Sequence, residues 1–532
     1  MNLRARAINN QSLIGIGLLV FALLAGWEVA GMVNANDIRS LLFIGVAVAG
    51  CGAAIAILNN WRRGFYLFFV WMTFEDLARK YAGNSLFLFF GKDILLGLIY
   101  LSFFAAWRQR REKIFRPPFL LFLSLFFWLA VVQIFNQNSP SVLYGLLGIK
   151  MYFYYAPLMF IGYSLVRNDE ELRKFLVLNA VLAIVVSAVG IMQSVVGNSF
   201  LNPINLAPDL QKLGDLQKVT ASGQIFNLPD SVFVSSSRYS GYLAIAFPIT
   251  MGAAGFFLLY KKKNRELIFV ALGMLGVASL MSGSRGTLVS ALLTAVLLSI
   301  AFIWGAPWRA RRANQMIKAI RRSALAIVAA VALMAFMFPQ QAGTRLEFYT
   351  DTLLPNSSDY QLGFRAWDYP VNNLLMAFDE PNWVGGNGIG TTALGTQYVQ
   401  KLVGQSALPS PVEEGFGTMI VEMGILAPFL WVLWSASLLY FAWRVTRSLR
   451  QTRYFPIAIA ITWYCFVLLF LWTWGSLDAF ENYTCNIFLW LLVGVLFALP
   501  EVARTSTELA VPIDGSLSGE RARKLVPVGL TE

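Results

Sequence analysis

Chemistry in this chain has to be built without histidine, of which its 532 residues contain none. Histidine metal sites and histidine acid–base catalysis are thereby excluded, and arginines and carboxylates become the residues to follow. Arg238 stands in Ser236-Ser237-Arg238-Tyr239-Ser240-Gly241, Arg285 in Ser282-Gly283-Ser284-Arg285-Gly286-Thr287, and Arg365 in Gly363-Phe364-Arg365-Ala366-Trp367. Planar guanidinium forks suit a diphosphate, although arginines at helix ends also reach a membrane interface simply by snorkelling. The run Gly385-Gly386-Asn387-Gly388-Ile389-Gly390-Thr391-Thr392 could cradle an anion on backbone N–H groups. It is not a Walker loop, because no Gly-Lys-Ser/Thr follows, and an ordinary turn is the competing role for Gly388 and Gly390. Two adjacent carboxylates, Glu413 and Glu414, precede Gly415-Phe416-Gly417, with Glu422 about two turns further on. Capping of a helix is the plain alternative for that acidic pair. Glu422 would be costly against lipid and is expected to face a bundle interior. Glu28, Lys92, Asp93 and Lys150 are further charges in or near apolar runs, and Lys92 with Asp93 reads as a structural ion pair.

The elements that must carry these residues are membrane helices. Hydrophobic residues make up 57% of the chain and charged ones 13%, against about 25% charged in soluble domains, and the mean hydropathy is +0.60. The apolar residues come in unbroken runs, which excludes soluble folds, and the lack of dyad alternation argues against a β-barrel. The fold class expected is an all-α polytopic integral membrane protein of about fourteen transmembrane helices, with eleven as the lower bound, and two large extracytoplasmic loops. Helices are expected near 12–33, 40–58, 64–74, 86–106, 118–135, 143–165, 174–196, 238–260, 267–282, 284–305, 323–339, 415–443, 455–475 and 484–499.

The net charge of +13 does not point to nucleic acid, because the basic residues cluster in short loops between apolar runs. With the N-terminus inside, thirty of the 42 basic residues fall on the cytoplasmic side, as the positive-inside rule requires. The first span is expected to be uncleaved, and both termini to be cytoplasmic. Cys51, Cys465 and Cys485 are scattered in or beside apolar segments and build no disulfide framework or CxxC pair. The organisation expected is 1–196, N-terminal helices; 197–237, an outer loop; 238–339, helices with the outward Ser-Arg-Gly junction; 340–413, a 74-residue outer loop with three basic and seven acidic residues; 414–499, C-terminal helices; and 500–532, a disordered cytoplasmic tail.

The order Arg-Tyr-Ser-Gly opening a helix, Ser-Arg-Gly between helices, a long loop with Arg365 and Gly-Asn-Gly-Ile-Gly, then Glu422-Met423-Gly424-Ile425-Leu426, resembles the O-antigen ligase and polymerase superfamily over roughly 230–440. That resemblance implies an inverting, metal-independent glycosyltransferase without cofactor. Such an enzyme takes glycans from polyprenyl-diphosphate carriers on the outer face of the bacterial inner membrane. Ligases of the family carry a histidine about nine residues before the glutamate that here is Glu422. This chain has Glu413 there, which favours a polymerase of O-antigen or exopolysaccharide repeat units over a lipid ligase. The expected assignment is Glu413 and Glu414 for catalysis, Arg238, Arg285 and Arg365 for the diphosphate, and Glu422, Gly388 and Gly390 in support, with no metal. A polyprenyl-diphosphate-linked oligosaccharide, membrane lipid, a chain-length regulator and a flippase are the expected partners. Rival readings are a ligase acting on another lipid or protein, a transporter or flippase of lipid-linked glycans, and a structural assembly partner.

Overall fold

The structure, a computed structural model, describes residues 38–508 apart from 84–85, 110–111, 113, 204–209, 211–216, 261–264, 306–317, 356–359, 407–409 and scattered positions between 319 and 334. The expected helix 12–33 and the tail beyond Glu508 lie outside these residues, and 323–339 does so in part.

The described chain is helical, with one small two-stranded exception. Its helices are α1 (Ile38–Asn59), α2 (Trp61–Ala82), α3 (Leu86–Arg108), α4 (Leu120–Gln133), α5 (Val142–Phe153), α6 (Leu158–Leu165) and α7 (Asp169–Val196). The hairpin β1 (Gln217–Val219) and β2 (Ile225–Asn227) precedes α8 (Ser236–Tyr260), α9 (Arg265–Met281) and α10 (Arg285–Gly305). The long loop then contributes α11 (Pro339–Leu353), a π-helical turn at Phe364–Asp368, α12 (Tyr369–Asp379) and α13 (Thr396–Val403). After it come α14 (Gly415–Met423), α15 (Leu426–Ser448), α16 (Phe455–Gly475), the single turn α17 (Asp478–Glu481) and α18 (Tyr483–Glu508). Seven of these helices, α3, α7, α8, α10, α15, α16 and α18, are long and apolar enough to cross a membrane.

Three expectations about boundaries are corrected. The expected helix 64–74 is twice as long: Asn60 caps α2 by accepting from the N–H groups of Arg62 and Arg63, and Gly83 closes it in the left-handed region. The expected helix 143–165 is broken between α5 and α6, where Pro157 lacks the N–H that would continue the ladder. The expected helix 415–443 is interrupted at Gly424, whose φ of 81° ends α14. The polar tail also starts later, since α18 runs through Pro500 to Glu508.

The core is centred on α8, nearly all of which is buried, with α7, α9, α10, α16 and α18 around it. Without a hydrophobic force between helices in lipid, close packing has to supply the attraction. The α6–α18 seam illustrates this. A Cβ on Gly162 would meet the Leu491 carbonyl at 2.2 Å, and one on Gly494 the Met159 carbonyl at 2.1 Å. Trp431, Trp434 and Trp490 fill the space beside it.

The two large loops share one end of the bundle and form a single layer. The β1–β2 hairpin docks across α11: Ser222 N–H donates to Glu347, Ala221 N–H to Asp351, and Phe226 meets Phe348 edge-on at 5.4 Å. Arg345 of α11 donates to the carbonyls of Met281 and Ser194, at or near the ends of α9 and α7. A cation at helix C-termini satisfies their free carbonyls and their dipoles. Burial lowers the Arg345 pKa to about 10.

A candidate glycan site at one end of the bundle

Beneath this layer the ends of α2, α3, α5 and α8 carry a buried set of ion pairs. Lys92 pairs with Glu75 at 3.1 Å and Lys150 with Asp93 at 2.7 Å, so Lys92 and Asp93 each have an ion pair, but with other partners than each other. Lys80 pairs with Asp230 at 2.9 Å. Arg238 brings one guanidinium nitrogen within 2.8 Å of both oxygens of Asp76, which Arg79 also reaches at 2.9 Å. Arg238 further lies over the Tyr483 ring, 5.1 Å from its centroid. Its charge is therefore satisfied within the protein, which is the opposite of what the sequence led us to expect of a diphosphate ligand.

Arg285 and Arg365 are placed differently. Arg285 opens α10, donates to the Gln361 side chain at 2.7 Å and lies over Phe348. Arg365 sits on the π-helical turn, a distortion often found at functional sites. That turn is anchored by Trp474 N–H, which donates to the Ala366 carbonyl at 3.1 Å, and by the Trp367–Trp474 contact. Lys218 of β1 is the third member of the group. Burial, and then the charges of Arg285 and Arg365, lower its pKa. Among the described residues none of the three cations pairs with a carboxylate.

From this cluster a chain of contacts leads to Glu413. Arg365 lies 4.7 Å from the centroid of the Tyr369 ring, and the Tyr369 hydroxyl donates to Glu413. That hydrogen bond raises the Tyr369 pKa. Asn373 accepts from the Glu413 N–H at 3.0 Å and fixes its backbone. The exposed Glu413 side chain lines a cavity of about 410 Å³ together with Asp478 and Glu481. Six hydroxyl side chains and Gln400 supply most of the remaining wall. Enclosure by that wall and then the charge of Glu413 raise the Asp478 pKa. Glu481 is 3% exposed; one of its oxygens accepts from Leu394 N–H at 2.7 Å and the other has no hydrogen-bond partner. Burial first, and the neighbouring Glu422 second, hold its pKa well above the carboxylate range.

Glu414 and Glu413 separate into two roles. Glu414 is the N-cap of α14, accepting from the N–H groups of Phe416 at 2.9 Å and Gly417 at 2.5 Å. It is fully buried, and burial raises its pKa to about 7 against the opposing effect of those two bonds. This is the capping role, so the expectation of a paired catalytic carboxylate meets a side chain that faces the helix and not the cavity lined by Glu413.

The glycine-rich run lies against the other end of α14. Asn387 and Gly388 donate their N–H groups to the carbonyls of Val421 and Glu422, at 2.8 and 2.9 Å. Gly388 and Gly390, both at positive φ, turn the chain so that Thr392 and Gly390 face the Glu422 carboxylate, which also accepts from Tyr152. Glu422, Gly388 and Gly390 are thus brought together. Glu422 is buried in the bundle as expected.

Sequence reasoning missed Lys218, Tyr369, Asp478 and Glu481. The last two were signalled by Ser476-Leu477-Asp478-Ala479-Phe480-Glu481-Asn482, a short polar break between apolar runs on the same face as the long loops. Comparison with protein-family models, with curated proteins and with solved structures returns no match. The class of protein that stands is a helical membrane protein with a polar site at one end of its bundle.

Proposed function

We propose that this chain is an inverting, metal-independent membrane glycosyltransferase that polymerises O-antigen or exopolysaccharide repeat units. It would work with fourteen crossings, both termini cytoplasmic and the site on the outer face of a bacterial inner membrane. The observation that carries the reading is a cation cluster, Lys218, Arg285 and Arg365, with no carboxylate partner among the described residues and joined through Tyr369 to an acid-lined cavity containing Glu413. A polyprenyl diphosphate supplies the anion that the cluster lacks, and the cavity receives the acceptor glycan. The acceptor hydroxyl attacks the anomeric carbon of the donor and forms the new C–O bond. The bond from that carbon to the diphosphate breaks with inversion, and its electron pair leaves on the diphosphate. The hydroxyl proton passes to Glu413. Preorganised cations are most valuable where charge develops on a leaving group, and a general base adds about 10²–10⁴-fold.

The test is polymer formation by purified protein from lipid-linked repeat units. Arg285→Ala and Arg365→Ala each lose about 1.5–3 kcal/mol of charge-assisted binding, about one to two decades in rate, and lysine restores only part of it. Glu413→Gln loses most of the turnover while binding of the lipid-linked unit persists. Normal polymer yield from an Arg285→Ala, Arg365→Ala double variant overturns the reading.

A ligase acting on another lipid or on protein would use the same site with another acceptor. A transporter or flippase is favoured by one observation, the buried charges of α2, α3 and α5. The Lys92–Glu75 pair joins the last turns of α2 to the first turns of α3, whereas transporter sites sit at the midplane on discontinuous helices.

A further inference from the structure

Among the twelve residues that line the cavity there are three carboxyl side chains, Glu413, Asp478 and Glu481, and no lysine or arginine. A wall of this kind offers hydrogen-bond acceptors, and hydroxyls that both donate and accept, but no compensating positive charge. Its volume of about 410 Å³ falls in the lower part of the range of small-molecule sites, about 300–1,000 Å³. A second and independent observation points to a ligand. Glu481 is almost completely buried, yet one of its carboxyl oxygens finds no hydrogen-bond partner, and buried polar atoms are nearly always satisfied.

Lys218, Arg285 and Arg365 lie outside the lining, and Arg365 reaches it only through the Tyr369 hydroxyl that bonds Glu413. A ligand carboxylate would have to approach Glu413 and Asp478 in a partly enclosed space, where like charges repel strongly. Hydroxyl groups suit the wall, and an ammonium group suits it better.

We propose that this cavity is a sugar subsite that accepts a neutral or amino-bearing pyranose and rejects a uronic acid, with Glu413, Asp478 and Glu481 setting the selection. The inference rests on the glycosyltransferase reading for its biological meaning, but it concerns binding and can be measured without turnover. The repeat unit entering as acceptor would then present a neutral or amino sugar at its attacking end.

The experiment uses full-length protein in nanodiscs at pH 7, with methyl glucoside, methyl glucosaminide and methyl glucuronide as probes, each titrated by saturation-transfer NMR. The glucosaminide is expected to bind about tenfold or more tightly than the glucuronide, with the glucoside between them. Asp478→Asn, at an exposed position, is expected to narrow the gap to less than about threefold with an unchanged melting temperature. Glu481→Gln is expected to weaken the neutral sugar as well, with an unchanged melting temperature separating lost binding from lost fold. Equal or tighter binding of the glucuronide overturns the proposal. So does the absence of binding by all three sugars, or saturation of the site by calcium alone. Normal polymerisation by the Arg285→Ala, Arg365→Ala double variant would overturn the glycosyltransferase reading and leave this binding result untouched, whereas loss of selectivity with intact wild-type polymerisation would remove this inference alone.

Discussion

Thr392 gives Glu422 both its backbone N–H and its hydroxyl, at 3.1 and 2.8 Å to the same carboxylate oxygen, across thirty residues of sequence. Tyr152 donates to the other oxygen at 3.1 Å. The glycine-rich run therefore holds a carboxyl group of the chain itself. The consequence is a rigid wall: α5, the turn after Gly390 and α14 are fastened to one buried side chain, and the cavity stands in front of it.

That wall predicts a sharp contrast between neighbouring glycines. A Cβ at Gly390 would meet the Tyr144 carbonyl at 2.2 Å with φ at +83°, whereas a Cβ at Gly385 meets nothing within 4 Å. The left-handed backbone alone costs about 1–2 kcal/mol for alanine, and the clash adds to it. Gly390→Ala is expected to lower the melting temperature of the purified protein strongly, and Gly385→Ala to leave it within a degree or two of the parent.

Arg238 and Arg285 are expected to fail in different assays. Removing one member of a buried pair costs about 3–5 kcal/mol, lessened at Asp76 because Arg79 still neutralises it. Arg238→Ala should reduce accumulation and melting temperature, and Arg238→Lys should recover much of both. Arg285→Ala should accumulate normally and lose polymer. Full accumulation of Arg238→Ala with selective loss of activity would return Arg238 to the diphosphate.

Glu414 predicts a pH dependence with a definite sign. Its folded pKa of about 7 lies above that of an unfolded glutamate, so the folded state holds the proton more tightly. Its stabilising contribution is complete below the unfolded value, falls as pH rises, and is lost once pH passes about 7. Thermal melting followed from pH 5 to pH 8 should therefore show a decline. Glu414→Gln should flatten part of it, while lowering stability at pH 5 by about 0.5–2 kcal/mol through the weakened cap.

The topology has its own test. Thr350 of α11 and Ser448 at the end of α15 are both exposed, and the charge distribution puts the first outside and the second inside. With Cys51, Cys465 and Cys485 replaced, Thr350→Cys should react in intact cells with an impermeant thiol reagent and Ser448→Cys should not. The reverse pattern would invert the whole orientation.

Much of the helical layout was legible because unbroken apolar runs mark membrane helices directly. The failures have physical causes. The end of α2 reads as a loop because Glu75, Asp76, Arg79 and Lys80 are charged, and nothing local reveals that Lys92, Asp230 and Arg238 wait elsewhere to pair with them. For the site, residue type was visible but partnership was not. Arg238 and Arg285 occupy similar Ser-and-Gly settings, yet among the described residues Arg238 meets a carboxylate and Arg285 meets Gln361. Glu413 and Glu414 are adjacent, and the start of α14 turns one into a cap and leaves the other exposed. Asp478 and Glu481 stand in a short polar break that marks a loop, and the approach of α17 to the 391–400 segment turns that loop into a cavity wall.

The wall behind the cavity also sets an order of assembly during biosynthesis. Gln133 donates to the Gly385 carbonyl 252 residues later, Tyr152 reaches Glu422 across 270, and Leu394 waits for Glu481, 87 residues downstream. A ribosome has therefore delivered almost the whole bundle before the pocket can close around its carboxylates. Stalled or truncated chains would enter the membrane without the residues that complete the pocket.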